Sequence, residues 1–316
     1  MSRAMSRATL VTAALLAAFT ATPAAAQAPA VPAPSYVPHR VVQTRAQRVE
    51  DFEAMAADLA RADVVFFGEQ HDDPATHRMQ LALLEAIGRR RDSVVLSLEM
   101  FERDVQPLLD AYLAGRIPED SLLAAGRPWP RYRTDYRDLV ELAKARGWRV
   151  VAANVPRPMA SAVSRAGLGL LDTLPADRRA HAAVQLTCPE GNDEYFERFM
   201  ATMSGMPTNH GGGPEDPAAA RQALVRIYQA QCVKDETMAE SIAGAWAPGT
   251  LVIHMNGAFH SDFHLGTVNR TAHRLRSGAR VRVVTGMPVA NLDQVDRKAD
   301  RKRADWLVYV LKPATP

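Results

Sequence analysis

Cysteine is scarce in this chain: 316 residues hold only Cys188 and Cys232, and no Cys-x-x-Cys occurs, so a zinc knuckle is excluded. Charge of one sign is also lacking. Thirty-eight Lys and Arg stand against 35 Asp and Glu, a formal net charge of +3 that gives no general attraction to nucleic acid or to a membrane surface. No apolar run reaches the roughly 20 residues that a helical membrane span needs. There is no internal repeat, no Gly-x-Gly-x-x-Gly and no P-loop, so the usual glycine-rich phosphate cradles are missing.

What is present begins with "MSRAMSRATLVTAALLAAFTATPAAA", residues 1–26: two arginines, an apolar stretch about half the length of a membrane span, and a small-residue end. This predicts a secretory signal peptide cleaved between Ala26 and Gln27. No cysteine stands at that point to carry a lipid, so the expected product is soluble and periplasmic or secreted. Removing Arg3 and Arg7 lowers the formal charge from +3 to +1. In an exported protein the two cysteines leave two alternatives open, one disulfide or two separately buried thiols. Residues 27–40, rich in Pro and Ala, read as an extended linker, and the globular part is expected over 41–316.

Within it, apolar runs at 62–68, 93–100, 148–154, 250–257, 281–286 and 305–311 alternate with helix-like segments at 73–90, 103–113, 135–146 and 264–276. Strands apolar on both faces that alternate with helices predict an α/β fold with a mainly parallel sheet covered on both sides. Between about 157 and 247 no strand is expected, and a mainly helical lobe is predicted there, with a loop at 207–217 rich in Gly and Pro.

Polar residues gather where the strands end: Glu69 and His71 in "VVFFGEQH", Glu99 in "VVLSLEM", Asn154 and Arg157 in "NVPR", and His260 in "GAFH". In a parallel sheet these ends share one edge, the edge where ligands bind. The two Gly-x-x-His segments suggest that each glycine allows a sharp turn that swings a histidine over the sheet. Imidazoles with carboxylates suit a divalent metal, so His71, His260, Glu99 and Glu69 are candidate ligands, and the same groups suit acid–base chemistry without metal. His77 is a candidate partner, His254 reads as core, and His264 stands four residues beyond His260. Asp72 and Asp73 read as caps of the helix that Pro74 begins. In "RPWPRYRTDYRDLV", Trp129, Tyr132 and Tyr136 offer either ordinary packing or an aromatic wall with a phenolic oxygen suited to haem iron, with Arg127, Arg131 and Arg133 available to its propionates. His210, on the glycine-rich loop, is a further ligand candidate.

The ordered blocks "VVFFGEQHDDPATHRMQLALLEAI", "VVLSLEMFERDVQPLLDAYLAG", "WPRYRTDYRDLVELAKARGWRVVAANVPR", "CVKDETMAESI" and "GAFHSDFHLG" resemble the ChaN-like haem-binding uptake proteins, in a superfamily with the Tiki proteases and the erythromycin-esterase-like enzymes. The resemblance implies haem binding linked to iron uptake, with haem held between two protomers through a tyrosine, Tyr132 or Tyr136, with histidine assistance. It equally implies an alternative, a metal-dependent hydrolase using His71, His260, Glu99 and Glu69.

Overall fold

The computed structural model describes residues 36–191, 193–205 and 216–312. The expected signal peptide, most of the expected linker and the loop with His210 lie outside the described residues. The chain divides after Tyr36, and the α/β fold is the unit Val37–Pro316. It opens on two short strands, β1 (His39–Gln43) and β2 (Arg48–Glu50), and α1 (Phe52–Leu59). There follow β3 (Val64–Glu69), α2 (Pro74–Gly88), β4 (Val94–Glu102), α3 (Gln106–Leu113), α4 (Glu119–Gly126), α5 (Arg137–Ala145) and β5 (Arg149–Asn154). Among the described residues no strand occurs from there to β6 (Leu251–Gly257), and the helices are α6 (Arg157–Ala166), α7 (Ala176–Arg179), α8 (Glu194–Ser204) and the long α9 (Pro217–Ala245). Then come α10 (Thr267–Arg274), β7 (Val281–Val289) and β8 (Trp306–Leu311).

The sheet order is β2-β1-β8-β7-β3-β6-β4-β5. The strands that the apolar runs predict, β3 to β8, all run parallel to their neighbours among themselves, whereas β1 pairs antiparallel with both β2 and β8. The two extra strands escaped the sequence pattern because they are short and β2, "RVE", has two charged residues out of three and exposes Val49. β1 begins at His39, two residues before the expected start of the globular part.

Every residue of β3, β4 and β6 is buried, as expected for strands covered on both faces. Alternate side chains serve two cores. Val65 and Phe67 pack with Met55, Leu83 and Leu139 from α1, α2 and α5, while Val64 and Phe66 face Met238, Ile242 and Val268 from α9 and α10. His254 belongs to this second layer: its Nδ1 pairs with Ser97 Oγ at 2.9 Å, and burial pushes its pKa down to about 3, so it is a neutral core residue. Asp73 caps α2 by accepting from the Thr76 amide at 2.8 Å, with Pro74 in the first turn. The cysteines are joined: Cys188–Cys232 ties the stretch before α8 to the middle of α9.

The glycines of the two Gly-x-x-His segments do a different job from the expected one. Neither has a positive φ. β3 and β6 are neighbours, with Gly68 opposite Asn256 and Glu69 opposite Gly257. A Cβ on Gly68 would stand 2.9 Å from Ala258 Cα and 2.7 Å from Ser261 Oγ, and a Cβ on Gly257 would stand 2.6 Å from His71 Nε2. Each glycine therefore makes room for the segment that follows the other strand. Because Ala258 Cα is backbone and cannot swing away, Gly68→Ala is expected to lower stability by about 1–3 kcal/mol. Chemical denaturation measures this, and a wild-type midpoint would show that the close approach relaxes freely.

Candidate functional site

The strand ends carry two clusters of carboxylate and imidazole on either side of Gly257. In the first, Glu69 ends β3 fully buried. Its Oε1 accepts from His71 Nδ1 at 2.8 Å and from the Tyr136 hydroxyl at 2.6 Å, and its Oε2 accepts from Gln80 Nε2 at 2.6 Å. His77, one turn into α2, stands 3.4 Å from Glu69 Oε2 and 3.5 Å from Asp135 Oδ2 and pairs with the His71 carbonyl at 3.2 Å. His77 is thus a partner of Glu69.

In the second cluster, Glu99 accepts the Gly257 amide at 2.7 Å on one oxygen and faces His260 Nε2 at 3.3 Å with the other. His260 Nδ1 donates to Asp235 Oδ1 at 2.7 Å. Asp235, on α9, is itself fixed by the Tyr195 hydroxyl at 2.6 Å and the Thr267 hydroxyl at 2.8 Å. Asn154 holds the Glu99 carbonyl at 3.1 Å. His264 takes no part: the turn reverses at Phe263, whose φ is 61°, and His264 is exposed, 3.9 Å from Asp305. Asp235 was missed by sequence reasoning because it stands outside the strand ends; an acidic pair, Asp235 and Glu236, on a buried helix stretch was the available signal.

Burial would favour the neutral forms of all these groups, but their mutual contacts outweigh it. Burial opposes charge on Glu99, yet the adjacent His260 and the Gly257 amide hold its pKa far below the usual carboxylate range. Burial likewise opposes the His260 imidazolium, but Glu99 and Asp235 raise its pKa to about 10. His77 is raised to about 9 against desolvation, chiefly by Glu69. Glu69 is lowered, against burial, by hydrogen bonds from His71 and His77, and His71 is raised by Glu69 and Glu99. Glu99 with His260, and Glu69 with His77, are therefore buried ion pairs near neutral pH.

The expectation of a divalent metal at His71, His260, Glu99 and Glu69 gains no support from this arrangement. Among the described residues no group of three or more His, Cys, Asp or Glu is disposed to hold a metal ion. The physical reason is that both nitrogens of His260 and one of His71 are spent on carboxylates, and each carboxylate is neutralised by its own donors.

The tyrosines lie deeper than an aromatic wall requires. A π-helical turn over Tyr132–Tyr136 leads into α5. Tyr132 is 2% exposed, stacks edge-on against Phe101 with ring centroids 5.7 Å apart, and its hydroxyl has no hydrogen-bond partner among the described residues. Tyr136 spends its hydroxyl on Glu69. A phenolate ligand at either position would have to leave the core, and burial raises both phenol pKa values well above normal. The nearby arginines are engaged: Arg127 with Glu102 and Asp104, Arg131 with Asp135, Arg133 with Glu119 and Asp120.

Between and above the clusters lies a cleft of about 530 Å³, lined among others by His71, Glu99, Trp129, Arg157, Lys234 and Phe259. Arg157 pairs with Glu102 Oε1 at 2.6 Å. Trp129 meets the His71 ring edge-on, with centroids 4.7 Å apart. The His71 side chain is 46% exposed, and its Nε2 has no hydrogen-bond partner among the described residues.

The profile of a family described as haem-binding uptake, Tiki superfamily, ChaN, matches residues 55–271. Among solved structures, ChaN of Campylobacter jejuni with cofacially bound haem superposes with a TM-score of 0.63 at 18% identity, over 86% of this chain and 96% of that one, which establishes the fold. An effector domain of a Vibrio vulnificus MARTX toxin, RRSP, matches at 17% identity over 81% of this chain and 37% of that one, with a TM-score of 0.41 that adds nothing to the assignment. No curated protein matches the chain significantly.

The raised pKa of His260 has a measurable consequence. In the unfolded chain this imidazole titrates near 6.5 and in the folded protein near 10, so the folded state binds the proton more tightly. The resulting stability is fully present below pH 6.5 and lost as pH rises towards 10. Melting temperature recorded from pH 6.5 to 10.5 is expected to fall, and His260→Gln is expected to start lower and fall less. Equal slopes in the two proteins would refute the assignment.

Proposed function

The chain belongs to the haem-binding uptake family of the Tiki superfamily, the family of ChaN, and on that footing we propose that it is an exported protein that binds haem in the cleft at the ends of β3, β4, β5 and β6. The observation that carries this reading is the state of His71. It presents an open Nε2 to the cleft while its Nδ1 is tied to the buried Glu69, whereas both nitrogens of His260 are occupied. A carboxylate that accepts from the far nitrogen of an imidazole fixes the ring and strengthens the near nitrogen as a donor to metal.

The rest of the lining suits a porphyrin. Trp129 and Phe259 offer apolar surface, and Lys234 offers positive charge for a carboxylate, Arg157 being held by Glu102. In this reading His71 would hold the iron, Glu69 would orient His71, and Tyr136 and Gln80 would orient Glu69. When bound, haem supplies the iron centre that an imidazole ligates. Tyr136 then acts two contacts away from the ligand, in place of the direct tyrosine ligation that the family resemblance suggests. Action outside the cytoplasm is supported by the Cys188–Cys232 disulfide, a bond that persists in oxidising compartments, and by the N-terminal sequence. A role in haem or iron uptake follows from that location. No helix among the described residues is long and apolar enough to cross a membrane.

Titration of the purified protein with haemin, followed by visible absorption, tests the reading. Wild type is expected to give a saturable shift of the Soret band, and His71→Ala to weaken binding roughly tenfold or more. Tyr136→Phe is expected to keep a ligated spectrum with reduced affinity. If His71→Ala leaves the spectrum intact while Tyr132→Phe or Tyr136→Phe abolishes it, the ligand is a tyrosine and the imidazole reading is wrong. Sedimentation of the same samples reads whether two protomers share the ligand.

A further inference from the structure

Charge accounting around the cleft leaves one group over. Each carboxylate that lines it has its own donors: Glu69 has His71, Tyr136 and Gln80; Glu99 has His260 and the Gly257 amide; Glu102 has Arg157 and Arg127; Asp262 has Arg303 and Thr285. The two arginines of the cleft are therefore committed. Arg157 is held by Glu102, and Arg303 is held by Asp262 and Asp300. Lys234 also lines the cleft, is only partly exposed, and has no ion pair or hydrogen bond from its ammonium group among the described residues.

Its position is fixed more firmly than its side chain. Lys234 lies in the middle of α9, one residue from Asp235, three from Gln231, which reaches His260 at 3.2 Å, and two from the disulfide at Cys232. The helix at this point cannot shift without disturbing the second cluster. A cation on a rigid element, half withdrawn from solvent and left without a counter-ion beside an apolar wall, suits the carboxylate of a ligand whose body lies on that wall.

We infer that Lys234 is the anchor for a carboxylate of the cleft ligand, and, resting on the haem reading above, for a haem propionate. The lysine then sets specificity: ligands that keep the porphyrin but lack the free acids lose this contact and nothing else. Lysine suits the task as a single mobile ammonium group on a flexible stem, which finds a carboxylate without requiring a fixed fork geometry.

The test compares haemin with haemin dimethyl ester, both delivered in the same dilute detergent, on the full-length protein and its Lys234→Met variant. Methionine keeps most of the apolar stem, and a melting curve of each protein checks that the fold is retained. Wild type is expected to bind haemin about tenfold more tightly than the ester, and Lys234→Met to bind haemin about as weakly as wild type binds the ester, with ester binding unchanged. Lys234→Arg is expected to recover most of the haemin affinity. If Lys234→Met binds haemin like wild type, or weakens haemin and ester equally, the anchor assignment is wrong while the haem reading stands. If wild type binds neither compound, the haem reading itself fails and the anchor falls with it.

Discussion

The site depends on how closely β3 and β6 approach at their C-terminal ends. Parallel strands stand about 4.8 Å apart, which leaves little room when the chain after each strand folds back across the other. Here the turn after β6 lies over Gly68, and the imidazole of His71 lies over Gly257. The absence of two Cβ atoms lets both polar segments occupy the same few ångströms. Everything functional at this edge follows: the Gly257 amide reaches Glu99, His71 turns back onto Glu69, and the cleft opens beside them.

Crowding charged groups into a buried edge is costly, because each ionised side chain gives up several kcal/mol of hydration. The fold offsets this at the strand ends by giving Glu69 and Glu99 more than one donor each and His77 and His260 a partner on both nitrogens. His71 is the exception, being partly exposed with one nitrogen open. An otherwise satisfied network with one open lone pair concentrates reactivity at a single atom. The same arrangement engages the side chains expected to hold a metal. A metal would need lone pairs that hydrogen bonds already use, and the charges that would attract it are already balanced.

Much of the architecture was legible because it is periodic or terminal. Runs such as "VVFFG" and "TLVIHMNG" are apolar on both faces, and that pattern is compatible with little besides a covered parallel sheet. The gathering of Glu69, His71, Glu99, Asn154 and His260 followed from topology alone, since all parallel strands end on one side. The edge strands β1 and β2 were illegible because a short, charged strand has no periodicity to display. The state of the tyrosines was illegible for another reason. A spacing of four residues suggests a shared helix face, but the local π turn and the pull of the core send Tyr132 onto Phe101 and Tyr136 onto Glu69.

By itself, then, the sequence determined the run of strands from β3 to β8 and the helices between them in outline, the side of the sheet where polar groups collect, and the cap that starts α2, since each of these rests on patterns along a short stretch of chain. Only the tertiary structure decided which histidine keeps a free nitrogen, that Asp235 from a distant helix completes the His260 pair, and that Cys188 meets Cys232. It also decided what the glycines are for. Those outcomes depend on distances between segments far apart in the chain, and packing sets such distances to within an ångström while the residue pattern leaves them free.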